Sequence, residues 1–559
     1  MNFVQSAPQF ADPYRDDRVL QAWLARVLPE AQRRAAEPDF SALSDYARHA
    51  YARQLATTPG EPVLTHFDVW GNRIDRIELT ETWREGPAIA ARHGLVADGH
   101  DTSLGEFARV QQFARVYLYH AASAFYSCPL AMTDGVATAL RDAPNTALRE
   151  RVLPHLLSRD PATFWISGQW MTENAGGSDV GGSETTARRD ADGTWRLHGR
   201  KWFTSAINAE FALALARPEG NPAGADGLAL FGVETRNADG TWNGIVIDRL
   251  KDKLGTRELP TAEIHLHDTR AELVGDTAHG VRAITPVLQV TRLWNAFGSL
   301  STMARCLALA RDYARRRTAF GKPLIEQPLF ADSLAGWEAE FEAAFHFAME
   351  VALLLGRVES GAGDERDAAL QRLLTPLAKL WICKLGVRIA SETVEAFGGI
   401  GYLEDSGIPL LLRDAQVFPI WEGASNVQAL DFLRALDKVG IDAIVDAVDA
   451  WTEDADGVVS DVDAATIHNA ARHADTWLRD HARDATALQA GALRLGMTCA
   501  RGVAAALLAR HAAWMQRHQN DSASASALKR FCAQGLDRII ETPWHTVHPP
   551  AAARRPPSL

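Results

Sequence analysis

The stretch Gln169-Trp170-Met171-Thr172-Glu173-Asn174-Ala175-Gly176-Gly177-Ser178-Asp179 marks a change of texture in the chain. Before it, apolar residues recur at three- and four-residue steps; after it, they alternate in short runs separated by turn residues. The runs Phe211–Leu215, Leu228–Phe231, Gly244–Ile247 and Glu263–Leu266 predict β-strands, and Asp192-Gly193 predicts a hairpin turn. This β pattern covers residues 169–280.

Upstream, residues 1–45 are mixed, with Leu20, Trp23, Leu24 and Val27 at helical spacing. Residues 46–168 read as mostly helical; Phe107, Val110, Phe113, Val116 and Tyr117 form one apolar stripe. Downstream, the helical period returns over residues 281–440, in Leu300, Met303, Leu307 and Ala310, and again in Leu370, Leu373, Leu374, Leu380 and Trp381. Residues 441–559 differ in composition. Asp442 to Asp463 is acidic and reads as a linker or exposed turn, Ala-rich helices are expected from Ala464 to Ile540, and the proline-rich end, His548 to Pro557, reads as frayed. The expected fold is α+β, mostly α. A β-domain set between two helical blocks would leave two seams, a natural place for a cleft.

Composition narrows the class. With 559 residues, 47% hydrophobic and 23% charged, the chain reads as an ordinary globular protein of several packed units. A net charge of −12 argues against nucleic-acid binding by the chain as a whole. Cys128, Cys306, Cys383, Cys499 and Cys532 lack metal-ligand spacing and read as buried thiols in a reducing compartment. The N-terminus lacks the apolar core of a signal peptide, and no window is expected to reach the ~18 apolar residues that span a bilayer. The expectation is a cytoplasmic protein without membrane insertion. His265 and His267 share a strand face without a third ligand, so no metal site is expected.

Four stretches could carry chemistry. In Phe418-Pro419-Ile420-Trp421-Glu422-Gly423-Ala424-Ser425-Asn426 a carboxylate packed against Trp421 and Ile420 would lose hydration, which raises its pKa and suits it to general base work; the alternative is a cap or a solvated loop. The Gly176-Gly177-Ser178 loop permits close approach of a ligand to the backbone, with Thr172 and Ser178 as donors, or is an ordinary loop entering the β-domain. Gly199-Arg200-Lys201-Trp202-Phe203-Thr204-Ser205 offers an apolar face and hydroxyls to a flat ring, or is an aromatic core strand. Arg315-Arg316-Arg317-Thr318-Ala319-Phe320-Gly321 either complements a helix dipole or presents Arg317 to a pyrophosphate and Phe320 to a ring.

Taken together, Thr172-Glu173-x-x-Gly176-Gly177-Ser178-Asp179, Lys201-x-Phe203, Arg317-x-x-Phe320-Gly321, Phe397-Gly398-Gly399-x-Gly401 and Trp421-Glu422-Gly423 resemble, in order and spacing, the motifs of the acyl-CoA dehydrogenase family. The resemblance runs from about residue 60 to 440. Arg249 to Gly255, Pro323 to Leu329, Ile382-Cys383-Lys384 and Ile420 to Gly423 are similar to the larger, AidB-like branch. It implies an N-terminal helical domain, a middle β-barrel or sandwich domain, a C-terminal four-helix bundle and an additional C-terminal helical domain.

By position, the resemblance implies FAD held by Gln169, Met171, Thr172, Gly177 and Ser178; by Phe203, Thr204 and Ser205; by Arg317, Phe320 and Gln327; by Glu395, Ala396, Gly398 and Gly399; and by Ala424 and Asn426. Ser178, Arg292, Trp421 and Gly423 are the implied substrate contacts, and Glu422 the implied base. Departures are present: the usual Tyr-Glu-Gly-Thr is Trp421-Glu422-Gly423-Ala424, the Trp-Ile-Thr run is Phe203-Thr204-Ser205, the Gln before the Gly-Gly turn is Glu395, and a His-Gln pair that often contacts FAD across subunits is Gln327-Pro328.

The implied reaction is α,β-dehydrogenation of an acyl-CoA thioester, with Glu422 taking the α-proton and hydride passing to flavin N5. The implied partners are an electron-transfer flavoprotein and further copies of the chain, in a tetramer. The AidB likeness implies an alternative, a flavoprotein that binds DNA through its C-terminal domain. Residues 441–559 hold twelve Lys and Arg against fourteen Asp and Glu, but from Ala485 onward the count is nine against three. The nine are Arg494, Arg501, Arg510, Arg517, Lys529, Arg530, Arg538, Arg554 and Arg555. A homologue acting on a non-CoA substrate is a third reading.

Overall fold

The structure is a computed structural model that describes residues 6–57 and 60–540. The proline-rich end, with Arg554 and Arg555, lies outside the described residues. Helices α1 (Arg18–Val27) and α2 (Glu30–Ala56) open the chain, followed by β1 (Val63–Phe67), β2 (Arg73–Glu78), α3 (Glu81–Arg92), α4 (Ala108–His120), α5 (Ser127–Arg141) and α6 (Thr146–Leu156). The β1–β2 hairpin interrupts a region expected to be mostly helical, and α2 runs unbroken across the 45/46 division expected from composition.

Strands β3 (Ser167–Trp170), β4 (Thr186–Arg189), β5 (Trp195–Ser205), β6 (Phe211–Pro218), β7 (Ala229–Glu234), β8 (Ile245–Leu250) and β9 (Thr261–Leu273) form one seven-stranded sheet. Pairings β4–β5, β5–β9, β9–β7, β7–β6 and β6–β4 close a circuit, with β3 extending along the edge of β6 and β8 along that of β9. Asp192-Gly193 turns β4 into β5, with Gly193 at φ 87°. Strand β6 shows why this sheet sits where it does. Ala212, Ala214 and Ala216 face the barrel interior beside Phe231 and Ile264, whereas Phe211, Leu213 and Leu215 face outward against Val136, Leu140 and Val152 of α5 and α6. Period-two alternation with both faces buried ties the barrel to the N-terminal helices.

Helices α7 (Gly280–Ala283), α8 (Thr285–Arg316), α9 (Pro328–Ser360), α10 (Glu365–Ala396), α11 (Ile408–Ala415) and α12 (Ser425–Val439) follow, with the short hairpin β10 (Thr318–Ala319) and β11 (Lys322–Pro323) between α8 and α9. The predicted stripe Leu300, Met303, Leu307 and Ala310 is fully buried on α8. The chain then forms α13 (Asp442–Glu453), α14 (Asp461–Asp480), α15 (Ala485–Gln519) and α16 (Ala523–Ala533).

Two expectations for this last region are corrected. The acidic stretch from Asp442 is the helix α13, whose Ile444, Ala447, Val448 and Trp451 are buried while its aspartates ride the outer face. Helix α15 is long and apolar enough by length and composition to cross a bilayer, yet 83% of its most apolar window is buried inside the fold. It packs against α9, α10, α12, α13, α14 and α16. Small residues such as Ala504, Ala505, Ala506 and Ala509 let those helices approach closely.

All five cysteines are buried free thiols. His265 and His267 stack on one another, with His265 Nδ1 at 3.0 Å from Asp248, and no group of three metal-ligating side chains occurs among the described residues. The polar side of α4 is as buried as its apolar stripe. Arg109 reaches Asp134 of α5 at 2.7 Å, and Asp134 also accepts from Gln112 and from Trp294 Nε1 of α8, with His100 Nε2 2.8 Å away. Replacing Asp134 by Ala leaves the buried Arg109 without that partner. The expected loss is about 3–5 kcal/mol of unfolding free energy, read by chemical denaturation.

Candidate functional site

Glu422 sits where α10 to α12, the barrel and α8 meet. The chain turns sharply through it: Glu422 has φ 57° and Gly423 φ 95°, and a Cβ at Gly423 would come 2.7 Å from Gln428 Nε2. A non-glycine residue held in the left-handed region is costly and persists where its surroundings impose it. Here Gln428 Nε2 donates to the Glu422 carbonyl at 2.7 Å and Lys379 Nζ to the Gly423 carbonyl at 2.7 Å.

The carboxylate is held from two layers. Thr291 Oγ1 of α8 donates to Oε2 at 2.9 Å, and Gln169 Nε2 of β3 donates to Oε1 at 2.6 Å. Burial pushes the Glu422 carboxyl above its ordinary range, while Thr291, Arg292, Lys379 and Gln169 pull it back in part. Ile420, expected to pack on the base, is 63% exposed and does not bury it. Trp421 turns inward, its ring 6.0 Å from Phe125 and 6.4 Å from Phe418.

The Glu422 carboxylate opens on a cavity of about 2020 Å³ along the seam between barrel and helices. Of the residues named from the motifs, Gln169, Met171, Thr172, Gly177, Ser178, Phe203, Ser205, Arg292, Trp421, Gly423 and Ala424 all line it. Thr204, between Phe203 and Ser205, does not: it points into the fold and bonds the Ala262 carbonyl, as strand alternation requires. Asn426 is exposed on the first turn of α12, away from the cavity wall.

The rest of the implied set lies elsewhere. Arg317 caps α8, Phe320 stands 98% exposed at the tip of the β10–β11 hairpin, and Gln327 Nε2 donates to the Ala319 carbonyl. Glu395, Ala396, Gly398 and Gly399 surround the end of α10, where Phe397 stacks on Tyr313 at 4.3 Å. From Thr291 to Arg317 the helix rises about 39 Å, so these residues do not meet Glu422 within one chain.

Several functional residues escaped the sequence reading. Glu173 and Lys201, quoted as motif letters, form a buried ion pair at 2.6 Å that fixes the Gly176-Gly177 loop to the barrel. Lys253 lines the cavity, donates to the Leu259 carbonyl and Thr261 Oγ1, and is pushed by burial down to about 8. Asp414, behind it, is pushed by burial up to about 7. Only three-dimensional neighbours reveal these shifts. At the cavity rim Asp431 gathers Arg292, Arg372 and Arg434 at 2.6, 2.9 and 3.4 Å.

The donor set fits a flavin. Phe203, 49% exposed, offers a ring face, Thr172, Ser178 and Ser205 offer hydroxyls, and the buried Gln169 Oε1 lacks a hydrogen-bond partner. A Cβ at Gly177 would fall 2.5 Å from Thr172 Oγ1, closing a backbone approach that glycine leaves open. Lys201→Met should strand Glu173, loosen this loop and lower the FAD content of purified protein several-fold, read as the ratio of 450 to 280 nm absorbance.

Comparison with known proteins agrees with this geometry. Family profiles match the acyl-CoA dehydrogenase middle domain over residues 168–269, the acyl-CoA dehydrogenase C-terminal domain over 278–436 and the adaptive response protein AidB N-terminal domain over 5–161. Acyl-CoA dehydrogenase family member 11 of Caenorhabditis elegans is 42% identical over 444 residues, 77% of this chain and 72% of that protein. The putative acyl-CoA dehydrogenase AidB of Escherichia coli is 35% identical over 390 residues, 67% of this chain and 69% of its own. The crystal structure of C. elegans ACDH-11 in complex with C11-CoA superposes with a TM-score of 0.91 at 36% identity, covering 97% of this chain and 94% of that one. The chain belongs to the acyl-CoA dehydrogenase family of FAD-dependent oxidoreductases, in its AidB-like branch.

Proposed function

We propose that the chain catalyses α,β-dehydrogenation of an acyl-CoA thioester, with Glu422 as the base. The observation that carries this reading is the carboxylate itself: oriented by Thr291 and Gln169, raised in pKa by burial, and facing a cavity large enough for an elongated substrate beside a cofactor. FAD, when bound against Gln169 to Ser178, Phe203 and Ser205, supplies the hydride acceptor. The chain's own work is to bind and orient the thioester, exclude water and take the α-proton onto a Glu422 carboxylate oxygen. The Glu422 backbone N–H makes no hydrogen bond to another described residue, so it is free to polarise a thioester carbonyl. Arg292, Arg372 and Arg434 around Asp431 leave excess positive charge at the rim for the phosphates of CoA. The C11-CoA complex of the C. elegans relative supports a CoA thioester as substrate.

The second half of the implied FAD contacts, Arg317, Phe320, Gln327 and Glu395 to Gly399, would serve the site of a neighbouring subunit. The exposure of Phe320, and of Tyr402 at 83%, supports such an assembly, a homotetramer in this reading, with an electron-transfer flavoprotein as acceptor. The DNA-binding alternative draws less support. Arg501 and Arg510 pair with Glu340 and Glu350, Arg530 with Asp332, and Arg517 donates to the Asp454 and Asp456 carbonyls.

Anaerobic titration with acyl-CoAs of graded chain length should bleach the oxidised flavin band. Glu422→Gln should keep FAD and lose bleaching by at least about 10²-fold; undiminished bleaching would remove Glu422 from the role. Because the carboxyl must be ionised to accept the proton, reduction should slow as pH falls through its raised pKa, with an acidic limb above the ordinary glutamate range.

A further inference from the structure

Beneath the turn that presents Glu422, α10 contributes Lys379, 1% exposed. Its Nζ donates to the Gly423 carbonyl at 2.7 Å, and no carboxylate among the described residues comes within 4.0 Å of it. Burying an ammonium against one neutral acceptor is unfavourable, and an unbranched apolar side chain would fill the same space at lower cost. The fold gains little from that charge.

The groups around Glu422 show what the charge is for. Arg292 from α8 is paired with Asp431 of α12, a carboxylate it shares with Arg372 of α10 and Arg434, so part of its charge still reaches Glu422. Cys128 from α5 is a thiol that burial holds neutral despite the pull of the Lys253 ammonium, and Cys383 on α10 is neutral for the same reason. Gln169 from β3 and Thr291 from α8 are uncharged donors. Lys379 is thus a cation near Glu422 with no carboxylate partner of its own among the described residues, acting alongside Arg292. Gln428, fully buried, shares its anchoring task, donating at 2.7 Å to the Glu422 carbonyl and at 3.1 Å to that of Gly423, but carries no charge.

We propose that Lys379 is a positioning residue of the base: its buried ammonium clamps the left-handed Glu422-Gly423 turn through the Gly423 carbonyl and adds, beside Arg292, a positive charge that keeps Glu422 ready to accept a proton. The assignment rests on Glu422 being the base. Lys379 touches neither substrate nor cofactor in this role; it acts through the turn.

The test uses FAD-loaded protein carrying Lys379→Met, Lys379→Arg or Gln428→Leu. In Lys379→Met the acidic limb of flavin reduction should move up by roughly one pH unit, Lys379→Arg should return most of it, and Gln428→Leu should slow reduction without moving the limb. A second readout is independent of turnover: the infrared carboxyl band of Glu422, identified by its absence in Glu422→Gln, should titrate at correspondingly higher pH in Lys379→Met. If Lys379→Met lowers the melting temperature while band and limb stay at the wild-type pH, the lysine is structural and the proposal is overturned. Should that variant fail to fold, Lys379→Gln, which can still donate to Gly423, carries the same comparison. Failure of the dehydrogenase reading would show differently, as wild-type flavin that no acyl-CoA bleaches or Glu422→Gln that bleaches normally; the infrared titration still decides the role of Lys379.

Discussion

The position of the Glu422 carboxylate depends on two hydrogen bonds from two different layers, one from Thr291 in the helical bundle and one from Gln169 at the first strand of the barrel. Each donor is fixed by its own packing: Thr291 is buried mid-face on α8, and Gln169 is locked in parallel register with Leu213 of β6. Sliding the barrel against the bundle by an ångström would break one bond or the other. The apolar seam of Phe211, Leu213 and Leu215 against α5 and α6 is therefore part of the site, because it sets where Gln169 stands. Loss of either donor would leave a buried charge undersatisfied, which couples domain docking to the protonation of one carboxyl.

Much of this was legible in the sequence, for identifiable reasons. Strand β6 alternates because it separates two chemically different faces, and Phe211 to Ala216 spells that out in six residues. The motif glycines were legible because left-handed backbone and close approach leave glycine few substitutes; Gly177 and Gly423 each sit where a Cβ would collide. Glu422 could be singled out from its aromatic neighbour and its turn. The right reason was only half available: Trp421 turns inward beside the carboxylate, but Ile420 faces outward and the hydrogen bonds that hold the carboxylate come from residues more than a hundred positions away.

What stayed hidden is tertiary. A helix as acidic as α13 hides its apolar stripe among aspartates, so composition outvoted periodicity in Asp442 to Asp463. Lys253, Asp414 and Lys379 are unremarked letters until burial shifts them, and no spacing rule encodes burial by remote segments. Glu173 and Lys201 were visible as motif positions, yet their role is to brace the loop that faces the cofactor; spacing alone does not distinguish a brace from a contact. Arg317 and Phe320 were grouped with Glu422 by motif, whereas a straight helix of 32 residues separates them.

Helix α15 has a consequence for how the molecule is made. It packs against α9, α10, α12, α13, α14 and α16, and it is synthesised after all but the last of these. Until it emerges from the ribosome, the bundle that carries the Glu422 turn displays an uncovered apolar groove, and the emerging helix has the hydropathy of a membrane segment. Maturation is thus governed by the final quarter of the polypeptide: a nonsense or frameshift lesion well past Glu422 would release a nascent chain with an open core, a substrate for chaperones and proteases rather than a slower enzyme.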